Sequence, residues 1–363
     1  MRTVFLFLSF LPAFLSAQLL PDELPQGVQK RLLLAHPTQS TITVMHTLQQ
    51  EGLLNLEAIE LIGVYHVDES YDYSKSQVLL DSLTVLNMQL IPLKDTLMAD
   101  NLYAANACSD AFEELFTKST GAFFFGGPDI PPVLYGEEPH PRTKITDPFR
   151  HYFEASFLFH LLGGRQNPKH TAYLNEKPGY FVHGFCLGMQ TMNVATGGTM
   201  IQDIPSEVYH SDETAGLSHL PAEQIHCNYY AQLKDQCYDV QGSHFHTIRF
   251  KGKKFSQKVG ATSTVEPQVN SYHHQAVENL GKGFKVGATS QDKKVIEAIW
   301  HKKYPNVFAV QFHPERSELY HPTREYSFEP QGEQKHLSEW IDIESMDFHR
   351  GYWAAVNGII MEL

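Results

Sequence analysis

The sequence predicts an α/β fold, a three-layer α/β/α sandwich on a mainly parallel central sheet. Three observations predict it. Apolar runs of strand length alternate with amphipathic helical stretches through the first half of the chain. One of those runs, "YFVHGF", leads into a cysteine held between two glycines. The composition, 42% hydrophobic and 19% charged over 363 residues, is that of a globular chain long enough for one large domain.

The elements follow in order. The opening stretch, "MRTVFLFLSFLPAFLSAQ", has a positive end at Arg2, an apolar core from Val4 to Leu15 and a small-residue step at Ser16-Ala17. That pattern is a secretory signal at residues 1–17, and its core is shorter than the roughly 20 residues a membrane span needs. The mature chain is therefore expected to be exported, periplasmic or secreted, and off the membrane once the signal is cleaved. Residues 18–57 form an N-terminal βα extension: "KRLLLAHP" is a strand, and "STITVMHTLQQEGLL" a helix opened by a Ser or Thr cap. "AIELIGVYHV" is a second, buried strand, and a helical crossover of this length makes the two strands parallel. The alternation continues with helix "SKSQVLLDSLTVLN", strand "MQLIPLK", helix "SDAFEELFTKS", strand "GAFFFGG", helix "DPFRHYFEASFLFHLL" and strand "YFVHGF". Beyond the cysteine, "HFHTIRF", "VNSYHHQAV", "FKVGATS", "KVIEAIWH" and "NVFAVQFHP" are short strands whose close spacing allows antiparallel pairing. Residues 316–343 are polar and irregular, and "MDFHRGYWAAVNGII" is a terminal helix. The chain thus divides into the signal, the extension at 18–57, one domain at 58–316 and a C-terminal extension at 317–363.

The chemistry centres on "GFCLGMQ". Gly184 and Gly188 flank Cys186, with a strand before it and a short helix after it that Gly197 and Gly198 stop. Strand, tight turn and helix make a nucleophile elbow: the glycines leave room for the turn, and the helix N-terminus favours a thiolate. A buried thiol in an ordinary turn is the plainer reading of the same residues. A thiolate needs a proton carrier, and "FAVQFHPE" supplies His313 with Glu315 two residues on, so an extended backbone points both to one face. Pro314 favours that extended shape at His313. Cys186 is then the nucleophile, His313 the acid–base residue and Glu315 its orienting partner. In "FFFGGPDIPP" a buried strand ends at Gly126-Gly127-Pro128. The N–H of Gly127, with that of Leu187 directly after the cysteine, would receive an oxyanion, although Gly-Gly-Pro alone is an ordinary turn.

The formal net charge is −13 with no basic run, which argues against nucleic acid and anionic membrane surfaces as partners. Among 20 histidines, His244 and His246 of "HFH" share a strand face, and with His273, His274 or Cys227 they would make a zinc site. No spacing matches a tight metal motif, so neither a metal nor another cofactor is expected. Cys227 and Cys237 are close enough in sequence to close a small disulfide loop in an exported protein, a pairing the sequence leaves open.

Together these stretches resemble class I glutamine amidotransferase-like proteins of the peptidase C26 group, nearest to the gamma-glutamyl-gamma-aminobutyrate hydrolase family. The resemblance rests on "GFCLGMQTMNVATGGTMIQDIP", "VNSYHHQAV", "KVIEAIWHKKYPNVFAVQFHPE" and, more loosely, "GAFFFGGPDIPP", and it covers residues 58–316. It implies a flavodoxin-like sheet and the same roles for Cys186, His313, Glu315 and the amides of Gly127 and Leu187. It further implies a small γ-glutamyl substrate, with Gln190 against the glutamyl part and Ser271 and His273 lining the pocket. Relatives often carry arginine directly after the cysteine; Leu187 keeps the amide but leaves the amine side of the substrate open. The leading expectation is hydrolysis of γ-glutamyl amines or γ-glutamyl peptides through a thioester. The alternatives are a glutaminase domain that passes ammonia to a synthetase, which export and the absence of a Walker-type phosphate loop oppose, and a non-catalytic binding protein on the same fold. Whether the chain forms a homodimer stays open.

Overall fold

The computed structural model describes residues 18–83, 86–211, 220–232 and 240–363. The expected signal at 1–17 and Cys237 lie outside the described residues. The first half alternates as the apolar runs predict: β1 (Lys30–Ala35), α1 (Gln39–Gln50), β2 (Ile59–His66), α2 (Ser74–Ser82), β3 (Met88–Leu93), α3 (Ser109–Thr117), β4 (Gly121–Phe124), α4 (Pro148–Leu162), β5 (Phe181–Phe185) and α5 (Leu187–Ala195). The second half adds β6 (Met200–Ile201), α6 (Ile204–Tyr209), β7 (His244–Phe250), α7 (Lys253–Lys258), β8 (Gln268–Ser271), β9 (Ala276–Val277), β10 (Phe284–Ser290), β11 (Ile296–His301) and β12 (Val307–Val310). A hairpin of β13 (Glu325–Tyr326) and β14 (Lys335–His336) precedes the terminal helix α8 (Ile343–Glu362). No described helix is long and apolar enough to cross a membrane.

The main sheet runs β3-β2-β1-β4-β5-β12-β11-β10-β7-β8. Its first six strands are parallel and the remainder antiparallel. Alternation along the central strands feeds two cores. Leu33 and Ala35 of β1, Ala122 and Phe124 of β4 and Val307 and Ala309 of β12 face one layer, where Phe112 of α3, Phe157 of α4 and Met192 of α5 pack. Leu32, Leu34, Phe123, Phe308 and Val310 face the other, under Ile42 and Met45 of α1 and Trp353 and Val356 of α8. Strands covered on both faces carry unbroken apolar runs, which is why "KRLLLA" and "GAFF" show no polar alternation.

Three expectations are corrected. The division at 57/58 does not separate folding units, because β1 lies inside the sheet, paired with β2 on one side and β4 on the other. Nor does the division at 316/317: Tyr352 of α8 bonds His183 through its hydroxyl at 2.6 Å, and Lys30 Nζ donates to Ile360 O at 3.0 Å. Lastly, "VNSYHHQAV" is two strands, β8 and β9. Between them the chain leaves the ladder, and His273 N–H donates to His226 O at 3.1 Å.

Candidate active site

β1, β4, β5 and β12 are consecutive, parallel neighbours, so their C-terminal ends open on one edge of the sheet. Ligands of open parallel sheets bind outside such ends. His36, Gly126, Gly127, Cys186, His313 and Glu315 leave these strands and line one cleft of about 650 Å³.

The elbow is formed as its glycines require. Cys186 N–H donates to Val310 O at 2.9 Å, and the Cys186 carbonyl accepts from Met189 and Gln190 N–H at 3.0 and 3.1 Å, which starts α5. The turn forces φ 48°, ψ −105° on Cys186, a conformation that costs on the order of 1–3 kcal/mol. A Cβ on Gly184 would lie 2.6 Å from the Gly188 carbonyl carbon, and one on Gly188 would lie 2.3 Å from Phe124 O. Only hydrogen fits at either position. Cys186 Sγ accepts from Gln311 Nε2 at 3.5 Å.

His313 and Glu315 are held from behind. His313 N–H donates to Asn270 O at 2.8 Å, and Pro314 O accepts from the Tyr320 hydroxyl at 2.6 Å and the Trp353 indole at 2.9 Å. This leaves His313 Nδ1 2.7 Å from Glu315 Oε1. Burial opposes a charge on the His313 ring, but the Glu315 carboxylate and then the Cys186 sulfur outweigh it, raising its pKa to about 10. Cys186 lies beside the ring, since a Cβ on Gly126 would meet His313 Cε1 at 2.8 Å and Cys186 Cβ at 3.6 Å. Even so, His313 Nε2 has no well-aligned hydrogen-bond partner. Nε2–H thus faces the cleft side of the pair, within reach of Cys186.

Gly127 and Leu187 adjoin. A Cβ on Gly127 would meet Leu187 Cδ2 at 2.9 Å and Arg150 Nη1 at 2.0 Å. Arg150 fixes this turn: Nη2 donates to the carbonyls of Phe125 and Gly126 at 3.1 and 3.0 Å, while Nε pairs with Glu154 at 2.9 Å. Among the described residues neither the Gly127 nor the Leu187 N–H donates a hydrogen bond. Two free backbone donors beside a nucleophile, one of them at a helix N-terminus, can bind developing negative charge.

The three expected substrate-binding side chains do not line the cleft. Gln190 is buried behind Cys186, its Nε2 donating to Gln275 O and Gln311 Oε1, each at 3.3 Å. Ser271 is buried with Oγ 2.7 Å from His246 Nε2. His273 is buried as well, its Nδ1 2.8 Å from Gln275 O, and burial lowers its pKa to about 3. Tyr272, between them, turns the opposite way into the cleft and is 59% exposed.

Sequence reasoning misses Tyr272, Arg150, Arg316 and His36, all of which line the cleft. Arg316 Nε is buried without a partner, and Nη2 lies 3.8 Å from Glu318 Oε1. His36 Nδ1 contacts Tyr73 Oη at 2.7 Å and Glu69 Oε2 at 2.5 Å; burial, then the Arg150 charge, lowers its pKa to about 2 and keeps it neutral. Arg150 and Glu154, four apart in an apolar helix, are a signal in the sequence; His36 has none.

The Peptidase C26 family model matches residues 102–315, more than half of the chain, and the chain belongs to that family. It is glutamine amidotransferase-like in its relatives too. It is 33% identical over 195 residues to a Mycobacterium tuberculosis protein named as a putative glutamine amidotransferase, covering 53% of this chain and 49% of that one. It is 30% identical over 192 residues to the glutamine amidotransferase-like protein YvdE of Lactococcus lactis (52% and 63% covered). It is 33% identical over 192 residues to protein NtpR of Enterococcus hirae (52% and 64% covered). The matched stretch spans between about half and just under two thirds of these relatives' length.

Proposed function

We propose that the protein hydrolyses γ-glutamyl amide bonds through a Cys186 thioester. The observation that carries this reading is the meeting of the strained Cys186, the His313–Glu315 pair and Gly127 at one cleft, with the unspent Leu187 N–H directly after the nucleophile. The Cys186 thiolate attacks the γ-carbonyl carbon, and the carbonyl electron pair moves onto oxygen, facing the N–H groups of Gly127 and Leu187. The C–N bond breaks as His313 Nε2 gives its proton to the departing amine. Water then adds to the thioester, its proton returning to His313, and glutamate leaves as the thiolate re-forms.

The rim supports an amino-acid headgroup. Arg316 offers a buried, unpartnered Nε–H to an α-carboxylate, and Glu318 beside it lines the same cleft for an α-ammonium. The amine half meets the exposed Tyr272, which fits loose selection. Residues 1–17 add an exported setting to the proposal. The test is glutamate release from matched pairs that differ only in α or γ linkage, with Cys186→Ala as control. Hydrolysis of the γ member alone is expected, and equal rates on both members would refute the reading. The relatives' names favour a second reading, a glutaminase. Glutamine as the only γ-glutamyl amide cleaved would establish that one instead.

A further inference from the structure

A buried cluster of titratable side chains lies outside the proposed mechanism. His226, His246 of β7, His273 and Glu297 of β11 each bring one ligand atom within 4.8 Å of all the others. His226 and Glu297 are fully buried, and His246 and His273 are 2% and 5% exposed. His226 Nδ1, His246 Nε2 and His273 Nε2 stand 3.2, 3.6 and 3.8 Å from the same atom, Glu297 Oε1. None of these approaches is aligned as a hydrogen bond: among the described residues, both Glu297 oxygens, both His226 ring nitrogens and His273 Nε2 are buried without a partner. A carboxylate in that state is costly. His273 adds to the cost, because its Nδ1–H is engaged with Gln275 O at 2.8 Å, which leaves a lone pair on Nε2 facing the carboxylate. Lone pairs that converge on one buried point call for a cation.

We propose that His226, His246, His273 and Glu297 form a closed structural site for a divalent transition-metal ion of the zinc class. Three imidazole nitrogens and one carboxylate oxygen are a donor set for zinc. Zinc bonds of roughly 2.0–2.1 Å in a tetrahedron put ligand atoms roughly 3.3 Å apart; the distances to Glu297 Oε1, 3.2 to 3.8 Å, are close to that, while the set as a whole, within 4.8 Å, draws in around the ion. The rings are oriented from outside the cluster, His273 through Gln275 O at 2.8 Å and His246 through Thr247 O at 3.3 Å, as backbone carbonyls orient metal-bound imidazoles. The Ser271 hydroxyl, 2.7 Å from His246 Nε2, competes for that lone pair and yields it to the ion. Four protein ligands without an open face leave no position for substrate. The ion would tie the segment carrying His226 to β7, β11 and the turn after β8, whose Tyr272 lines the cleft. His244, the other histidine of "HFH", is not in the cluster and packs on Phe328.

The test uses the full chain carrying Cys186→Ala, so that zinc finds no active-site thiolate. The protein is stripped with chelator, dialysed against zinc sulfate, and followed by elemental analysis and thermal unfolding. About one zinc per chain is expected, with a higher Tm in zinc. Uptake should survive Ser271→Ala and His244→Ala and be lost in His226→Gln and Glu297→Gln. No uptake by the stripped parent, or equal uptake by folded His226→Gln protein, overturns the proposal. Should the ligand variants fail to fold, cobalt(II) loaded into the parent decides: the visible spectrum of four-coordinate cobalt supports the site, and its absence overturns it.

Discussion

Glu315→Gln removes a charge and leaves a hydrogen-bond acceptor in place. At 2.7 Å from His313 Nδ1 the carboxylate makes a charge-assisted hydrogen bond, worth roughly 1.5–3 kcal/mol against about 1 kcal/mol for a neutral one. The difference, ~0.5–2 kcal/mol, is the preference the carboxylate gives the imidazolium over the neutral ring. At roughly 1.4 kcal/mol per pH unit, losing it lowers the His313 pKa by about one unit from its raised value of about 10. The imidazolium is lost as pH rises through that pKa, so the alkaline limb of turnover moves to lower pH in the variant, while alkylation, which needs only the thiolate, changes where the imidazolium assists its formation. Iodoacetamide labelling of Cys186 followed against pH reads the pairing without any substrate. For turnover of a γ-glutamyl amide, the same difference predicts a fall of roughly 2- to 30-fold in kcat/KM. Glu315→Ala, which also frees the ring to turn, should lose more. An alkylation profile in Glu315→Gln that overlays the parent, with kcat/KM unchanged, would refute the coupling of Glu315 to His313.

Cys186→Ala is expected to abolish turnover with little change in Tm, while Cys186→Gly, freed from φ 48°, should be the more stable of the two by ~1 kcal/mol; differential scanning calorimetry compares them. The His274 pKa is raised to about 9: burial opposes this, and the hydrogen bonds its ring donates to Asp129 and Asp203 outweigh it. Stability from such a group is full below about pH 6.5 and is lost as pH rises through about 9, so His274→Gln should cost about 3 kcal/mol near pH 6 and much less above pH 10 in paired urea titrations. Intact mass of protein made in its own host should correspond to a chain starting at Gln18, and retention of Met1 would remove the proposed export.

The parallel half of the sheet is legible in the sequence because each of its strands is covered on both faces. "KRLLLA", "GAFF" and "FVHGF" need no partner to look buried, and the helices between them set the crossovers. What the pattern does not carry is strand order. Nothing local in β1 says that it pairs with β4 as well as β2, so an internal strand looks like an extension. The C-terminal segment misleads for a related reason: its polar stretch belongs to a connection, while Tyr352 and Trp353 in the helix beyond it fill the second core.

The site divides along the same line. Cys186 is legible because an elbow is a local object: two glycines and a strand–helix junction are written in seven residues, and the close contacts of Gly184 and Gly188 show why nothing larger serves. His313 and Glu315 are legible as an acid two residues after a histidine, but they meet through a turn, in which Arg316 N–H donates to His313 O at 3.4 Å, and not along an extended backbone. His36 and Arg316 enter the cleft only because strand order brings the loops after β1 and β12 to one edge. In "NSYHH" the residue that lines the cleft is neither of the two expected against substrate. The pleat of this segment sends Tyr272 to the cleft and turns Ser271 and His273 towards His246, so the side chains expected against substrate meet the buried histidine cluster instead. A residue's place along a strand is legible from a motif, but the face it serves follows from what the neighbouring strands put on either side.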